Sequence, residues 1–281
     1  TYDRLSFSQS SAIIAVGSKL GVTSVWSIPD THLLFRENVT LPRGEPIAPD
    51  DRYIVVSPSE QPADKPYLRF QGLNGRESTI LRAALPNSVV SFSQNGTLLV
   101  SNTVTSSNIW DIQTGDEIYF QARNDRGCRI TSSTNNNEIL RVNSVAGDFA
   151  SWSDQVRNIC VKSYLYRDSL TDVSDNLELL VYLTQGGGIE GFDTLANDVI
   201  WRYRPSERVT ALSTSANGDI VALGFENGQL FFLDGMTGDI VFEIRGNYGT
   251  ITAVKFSVDR SWIATSGTDG VVRLFGVGSE K

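Results

Sequence analysis

Short apolar runs separated by small polar residues follow one another along the whole chain. Residues 89–121 show the pattern most clearly, with apolar runs at 89–93, 97–101, 108–112 and 117–121. Gly, Asn and Asp lie between these runs, and β-branched runs bounded by such residues predict strands joined by hairpins. No stretch of the chain has the spacing of an amphipathic helix. The segment therefore predicts one antiparallel, four-stranded sheet.

One large residue, usually aromatic, recurs about every 41 positions, with successive gaps of 44, 40, 42, 40, 41 and 42. These positions are Trp26, Phe70, Trp110, Trp152, Phe192, Leu233 and Phe275. The segment 209–244 copies the pattern of 89–121, and the two share the spacing Asp-x-x-Thr-Gly-Asp. A regular period of this length indicates a repeat architecture. We expect the recurring residue to lie in the third strand of each repeat and to pack in the core.

The repeats predict an all-β fold in a single domain, 1–281. Because one four-stranded sheet cannot bury both of its faces, we expect the repeats to stack as the antiparallel blades of a seven-bladed β-propeller. The predicted blades are 1–42, 43–84, 85–126, 127–167, 168–206, 207–248 and 249–281.

The seventh blade is predicted to lack its outer strand. The chain opens on an innermost strand at 4–8 and ends just after the third strand of blade seven. One explanation is that the domain is cut from a longer protein. The other is that a partner donates a strand to blade seven by β-augmentation, because unpaired backbone groups on a sheet edge favour such pairing.

The last repeat resembles the WD40-repeat family. The likeness rests on Phe256-Ser257 in the inner strand, on Gly267-Thr268-Asp269-Gly270 in the following hairpin and on the closing Phe275. Trp110-Asp111 is the one literal Trp-Asp pair of the chain. The resemblance implies radial four-stranded blades and a scaffold that binds proteins or peptides.

Two features depart from the pattern of that family. Its buried Ser/Thr–His–Asp–Trp network needs a His where this chain has Asn247, so we expect the network to be absent. Residues 188–193 and 199–203 are more similar to quinoprotein-type propeller repeats. Both resemblances imply propeller blades.

Charge and cysteine content narrow the kinds of partner. A net charge of −8 over 281 residues is unlike the basic balance of proteins that bind the nucleic-acid backbone. No run approaches the ~18 apolar residues that a membrane helix needs, so no membrane partner is expected. Cys128 and Cys160 are too few for a disulfide framework, and we interpret them as buried thiols of a reducing compartment. We predict an intracellular, cytoplasmic protein, with the nucleus as an alternative.

Residues with catalytic or ligand-binding potential are scarce. His32 is the only histidine, which excludes a His-rich metal site, and we interpret it as a surface or turn residue. The glycines at 186–188 fit a hairpin rather than a phosphate loop, because the chain there lacks the GxxxxGK[ST] pattern. Asp234 and Asp239 miss the spacing of a calcium loop and fit a turn. We predict no catalytic residue, no metal and no cofactor.

Arginines concentrate in the loops predicted at one end of the propeller, where strand d leads to strand a and strand b to strand c. We call this end the loop face and define it by segments 43–47, 123–129, 203–208 and 246–250. The turns predicted at the opposite end are rich in Asp. The residues predicted to bind a partner are Arg43, Arg126, Arg129, Arg204, Arg208, Asn247 and Tyr248. Since arginine forks match carboxylates and phosphates, an acidic or phosphorylated peptide fits; the alternative is that these arginines are only solvated.

The sequence thus predicts a non-catalytic protein-interaction scaffold, a domain of a larger signalling or assembly protein. A quinoprotein-like oxidoreductase or a propeller hydrolase is the enzymatic alternative. A glycan-binding propeller is the third, and it would use surface tryptophans such as Trp201 and Trp262.

Overall fold

The computed structural model is built of β-strands. It describes residues 2–28, 30–58, 67–73, 79–82, 89–92, 96–102, 106–112, 114–122, 129–132, 139–142, 148–152, 161–162, 170–176, 178–196 and 198–277. Within these ranges every regular element is a strand, and no helix is long and apolar enough to cross a membrane.

The chain falls into two compact units. One comprises Ser6–Ser163, and the other comprises Tyr164–Lys281 together with Thr1–Leu5. Each unit is described by itself below. The single domain and the blade boundaries stay predictions.

The first part of the chain carries strands β1 to β17, most of which are joined as antiparallel meanders. The strands are β1 (Tyr2–Phe7), β2 (Ile13–Ser18), β3 (Thr23–Ser27), β4 (Leu33–Glu37), β5 (Val39–Thr40), β6 (Arg43–Gly44), β7 (Tyr53–Pro58), β8 (Tyr67–Gly72), β9 (Thr79–Arg82), β10 (Val89–Phe92), β11 (Leu98–Asn102), β12 (Ser106–Asp111), β13 (Glu117–Ala122), β14 (Arg129–Ser132), β15 (Ile139–Val142), β16 (Asp148–Trp152) and β17 (Val161–Lys162). They form sheets in the orders β1-β2-β3-β4, β5-β7-β8-β9, β13-β12-β11-β10-β6 and β14-β15-β16-β17.

The unit that contains Tyr164–Lys281 continues the pattern with three further sheets among its described residues. The strands are β18 (Thr171–Val173), β19 (Leu179–Leu183), β20 (Ile189–Asp193), β21 (Asp198–Tyr203), β22 (Val209–Thr214), β23 (Ile220–Phe225), β24 (Gln229–Asp234), β25 (Ile240–Arg245), β26 (Ile251–Phe256), β27 (Trp262–Gly267) and β28 (Val272–Gly276). The sheet orders are β18-β19-β20-β21, β22-β23-β24-β25 and β26-β27-β28. The all-β class and the four-stranded antiparallel sheets predicted from the sequence are confirmed, and they are consistent with a β-propeller.

The recurring large residue lies in the third strand of every sheet, as predicted. The strands that hold it are β3, β8, β12, β16, β20, β24 and β28. Leu233 is fully buried, and Trp110 is 3% exposed. Phe70 and Phe192 are buried as well, whereas Trp26 and Phe275 are partly exposed. Because side chains alternate between the faces of a strand, the shared position supplies a core residue to several of the sheets.

The second repeat differs from the predicted four-strand unit because its first strand is interrupted. β5 pairs with β7, but β6 leaves that sheet and pairs in parallel with β10. Glu45 N–H donates to Val90 O at 2.8 Å, which strengthens this second pairing. Pro42 and Pro46 flank β6, and since proline has no N–H, neither residue can donate to the ladder of β7.

A buried serine fixes the turn between the first two strands in all three sheets of the later unit. The hydroxyls of Ser174, Ser215 and Ser257 each accept the N–H of the residue five positions later, at 3.0 Å in every case. The serines are spaced by 41 and 42 residues, so this turn is a second periodic signal in the sequence.

Candidate functional site

The loop between β19 and β20 is a tight, glycine-rich turn. Thr184 O accepts the N–H of Gly187 at 3.0 Å, and Thr184 Oγ1 accepts the N–H of Gly188 at 3.0 Å. Gly187 has a φ of 79°, a left-handed conformation that glycine adopts readily. The loop is therefore a hairpin, as predicted, and it places Gln185, Gly186 and Gly187 in an exposed position.

This hairpin and the start of β22 line a cleft of about 370 Å³, which we call the Arg208 cleft. Its apolar wall consists of Leu170, Leu183 and Val209. Its polar rim consists of Thr184, Gln185, Gly187, Arg208 and Thr210. The cleft thus combines apolar side chains with polar ones that include one exposed arginine.

Arg204 and Arg208, which bound the segment between β21 and β22, are both exposed. A Cβ placed on Gly188 would lie 3.9 Å from Arg204 Cγ, so this arginine stem borders the same hairpin. Within the described residues neither Arg204 nor Arg208 forms an ion pair. Glu207, between them, is also exposed and dilutes their charge.

Asn247 has an internal role rather than the contact role predicted for it. It is 1% exposed, and its Oδ1 accepts a hydrogen bond of 2.7 Å from Thr265 Oγ1. Its Nδ2 donates to Asp269 Oδ1 at 3.1 Å and to Val271 O at 3.2 Å. In place of the Ser/Thr–His–Asp–Trp network that was expected to be absent, the structure has a Thr265–Asn247–Asp269 network. An amide offers one acceptor and two donors, so it joins Thr265 to Asp269 without an imidazole.

Tyr248 is held on the surface by the same network. Its N–H donates to Asp269 Oδ2 at 3.1 Å, while its side chain is 82% exposed. Arg273 Cζ lies 5.4 Å from the centre of the Tyr248 ring, a cation–π distance, and Arg273 Nη1 lies 2.8 Å from Asp269 Oδ2. Tyr248 is thus an aromatic group presented to solvent by a hydrogen-bonded network.

The electrostatics of Asp269 follow from its hydrogen bonds. Desolvation acts to raise its pKa, but the N–H groups of Tyr248 and Val271, the Asn247 amide and the Arg273 guanidinium together lower the pKa to about 2. The carboxylate is therefore ionised at every pH at which the protein would normally be handled.

The aspartates of the turns between third and fourth strands accept hydrogen bonds from backbone N–H groups of the same turns. Asp193 Oδ1 accepts the N–H groups of Leu195 and Ala196, each at 2.8 Å. Asp234 Oδ1 accepts those of Met236 and Thr237, each at 2.9 Å, and these bonds lower the pKa of Asp234. Among the residues that the structure describes, no group of three or more His, Cys, Asp or Glu side chains could hold a metal ion.

The remaining predicted residues are distributed as follows. Arg43 is exposed in β6, Arg129 is the first residue of β14, and Arg126 lies outside the described residues, as do Cys128 and Cys160. His32 is exposed. Trp201, offered above as a surface residue for glycans, is 5% exposed and therefore a core residue, whereas Trp262 is partly exposed.

A polar cluster on three successive first strands was not predicted. Asp172 Oδ2 accepts hydrogen bonds from Thr214 N–H at 2.9 Å and from Ser213 Oγ at 3.2 Å, and Lys255 Nζ lies 3.7 Å from Asp172 Oδ1. Burial raises the pKa of nearby Asp175; the Lys255 ammonium opposes this shift and the Asp172 charge adds to it. The sequence signal that could have predicted this cluster is the presence of polar residues at matching positions of three repeats, namely 172, 213 and 255.

One comparison with known proteins identifies a repeat. Residues 238–275 match the family model of the WD domain, G-beta repeat. The matched stretch runs from just before β25 to the penultimate residue of β28 and contains the Asn247–Asp269 bonds. The resemblance to WD40 repeats is confirmed over this stretch, which is consistent with a WD40-family protein. Such repeats generally serve as protein-interaction scaffolds and are typically non-catalytic.

Proposed function

We propose that this chain is a non-catalytic interaction scaffold that binds an acidic or phosphorylated segment of a partner protein at the Arg208 cleft. The observation that carries the proposal is the combination of an apolar wall with an exposed arginine that has no ion pair among the described residues. The match to a WD40 repeat supports the general class of function but does not identify the partner.

The cleft chemistry suits a short segment that carries an apolar side chain next to an anionic one. Leu170, Leu183 and Val209 offer apolar contact, and the exposed fork of Arg208 matches the geometry of a carboxylate or phosphate. The stem of Arg204 borders the same hairpin, and this residue adds a second positive charge. Because both guanidinium groups are exposed, the electrostatic part of binding should weaken as salt increases.

The test is binding of synthetic peptides that contain Leu followed by phosphoserine or aspartate, measured by fluorescence anisotropy. We expect Arg204→Glu/Arg208→Glu to weaken binding by at least about tenfold, because two charge-assisted contacts become repulsive. The control is Arg36→Glu/Arg52→Glu, which makes the same change in net charge at exposed arginines of β4 and of the segment before β7. Equal loss in both double variants, or no peptide binding to the wild type, contradicts the proposal.

We further propose partner contacts by Arg43, Arg126 and Arg129, donation of a partner strand to β28, and an intracellular location within a larger signalling or assembly protein. Among the described residues β28 is the edge strand of its three-stranded sheet. Isotope-edited spectra of β28 amides with bound partner would test the second of them.

A further inference from the structure

Two consecutive sheets of the later unit have the same hairpin between their second and third strands. Gly187 N–H donates to Thr184 O at 3.0 Å, and Gly228 N–H donates to Phe225 O at 3.1 Å. The φ angles of the two glycines are 79° and 85°, so the turns have the same form. Gly187 is nevertheless exposed, whereas Gly228 is buried. The two hairpins therefore differ in what lies over them.

The backbone of the chain itself covers Gly228. The N–H groups of Gly246 and Asn247 both donate to Gly228 O, at 2.9 Å and 3.1 Å. A Cβ placed on Gly228 would lie 2.2 Å from Asn247 O, so no space remains between the hairpin and the segment that precedes β26. The carbonyl group of this turn is thus bound by two successive peptide N–H groups.

The corresponding carbonyl of the preceding sheet is left open. The strand pairings place Pro205 after β21 where Gly246 lies after β25, and proline has no N–H to donate. The connection is also shorter, with four residues from Pro205 to the start of β22 and five from Gly246 to the start of β26. Among the described residues no group donates a hydrogen bond to Gly187 O. Gly187 lines the Arg208 cleft, so its carbonyl is an available acceptor there.

We infer that a partner segment in the Arg208 cleft donates two successive backbone N–H groups to Gly187 O, as Gly246 and Asn247 donate to Gly228 O. This inference rests on the proposed function and specifies that the cleft recognises the main chain of a peptide. Gly187 and Arg208 line the same cleft, so a segment bonded at the carbonyl brings an adjacent acidic or phosphorylated side chain to the guanidinium. The main-chain bonds supply affinity for any sequence, while Arg208 and the apolar wall select the side chains.

The test is a scan in which each backbone amide of the Leu-phosphoserine peptide is replaced in turn by an ester. The replacement removes one N–H donor and keeps every side chain. We expect about fivefold weaker binding, measured by fluorescence anisotropy, at each of two adjacent positions, because each ester removes one hydrogen bond to Gly187 O. Esters elsewhere in the peptide are the matched controls and should change affinity by less than about twofold.

Carbonyl spectra of protein labelled with ¹³C at its glycine carbonyls identify the acceptor. The Gly187 resonance should move downfield at saturation with the peptide, and the Gly228 resonance should stay in place because that carbonyl is already bonded. Binding that depends on Arg204 and Arg208 but tolerates every ester, or a Gly187 resonance that does not move at saturation, overturns the inference and leaves the proposed function standing. A wild type that binds no peptide overturns both.

Discussion

The indole N–H of Trp201 donates a hydrogen bond of 2.7 Å to the carbonyl oxygen of Gly235. Trp201 belongs to β21, and Gly235 belongs to the turn after β24, so the bond joins one sheet to the next. Gly191, paired with Trp201 across the strands, and Gly238, in the same turn as Gly235, leave the space that the ring occupies. A large side chain of one repeat is thus covered by two glycines, one from each sheet.

Gly191→Ala should destabilise the protein. A Cβ at Gly191 would overlap the Trp201 ring, and forcing extra volume into a packed site costs about 1–3 kcal/mol of unfolding free energy. Gly186→Ala is the matched control, since a Cβ there would meet no atom within 4 Å. Chemical denaturation measures both. A Gly191→Ala variant as stable as Gly186→Ala would show that the ring moves aside.

Asn247→Asp should destabilise the protein strongly, although the Asn and Asp side chains have nearly the same shape. The new carboxylate cannot donate to Asp269 and would lie beside that charged group in a site that is 1% exposed. Loss of a buried donor and like-charge contact together should cost about 2–4 kcal/mol at neutral pH. Measured unfolding free energies should recover partly on acidification, as the introduced group takes up a proton.

Asn227→Asp makes the same chemical change in an exposed turn of the same unit. Its Oδ1 accepts the N–H of Gln229 at 3.0 Å, a role that a carboxylate keeps. We expect less than about 0.5 kcal/mol of destabilisation there. Similar losses at both positions would show that the Asn247 network contributes little.

The strands and their repeat were predictable because every repeat places its large residue at one pleat position. Trp26 and Phe192, far apart in the chain, both lie in third strands for this reason. The break between β5 and β6 was not predicted, although Pro42 and Pro46 signalled it. The strand β6 pairs with β10 because Val90 O can accept the N–H of Glu45. Only the folded structure brings that oxygen near Glu45.

The site was less predictable than the fold for two reasons. Loop position alone cannot distinguish an exposed side chain from a buried one, so the adjacent Asn247 and Tyr248 were given the same role although one is 1% and the other 82% exposed. The bonds of Asp172 to Ser213 and Thr214 join residues 41 and 42 positions apart. Such contacts depend on how neighbouring sheets face one another, which the pattern within one repeat does not specify.

Asp269 should give the protein a stability contribution that disappears in acid. Its pKa is lowered from 3.8 to about 2 in the folded state, so the folded form favours the ionised carboxylate. The contribution is fully present above the unfolded value and is lost as pH falls through about 2. In Asp269→Asn the unfolding free energy should be lower at pH 7, and the difference from wild type should shrink between about pH 4 and about pH 2. A difference that does not change with pH would contradict this assignment.

Tyr182 should give the protein a stability contribution that disappears at alkaline pH. Burial raises the pKa of its phenol above the ordinary value. The pKa is raised further by the hydrogen bond of 2.6 Å that the phenol donates to Glu190 Oε2 and by the negative charge of Glu190. The positive charge of Arg202 acts in the opposite direction. The neutral phenol is therefore favoured in the folded state. Its contribution is fully present below the unfolded pKa of about 10 and is lost as pH rises beyond it.

Tyr182→Phe removes the ionisable group while keeping the ring in its place on β19. We expect wild type to lose more unfolding free energy than Tyr182→Phe when the pH is raised past about 10. Tyr248→Phe serves as the control because its phenol is 82% exposed. If Tyr182→Phe and wild type decline in parallel, solvent reaches the Tyr182 hydroxyl and the cross-strand bond to Glu190 is not maintained.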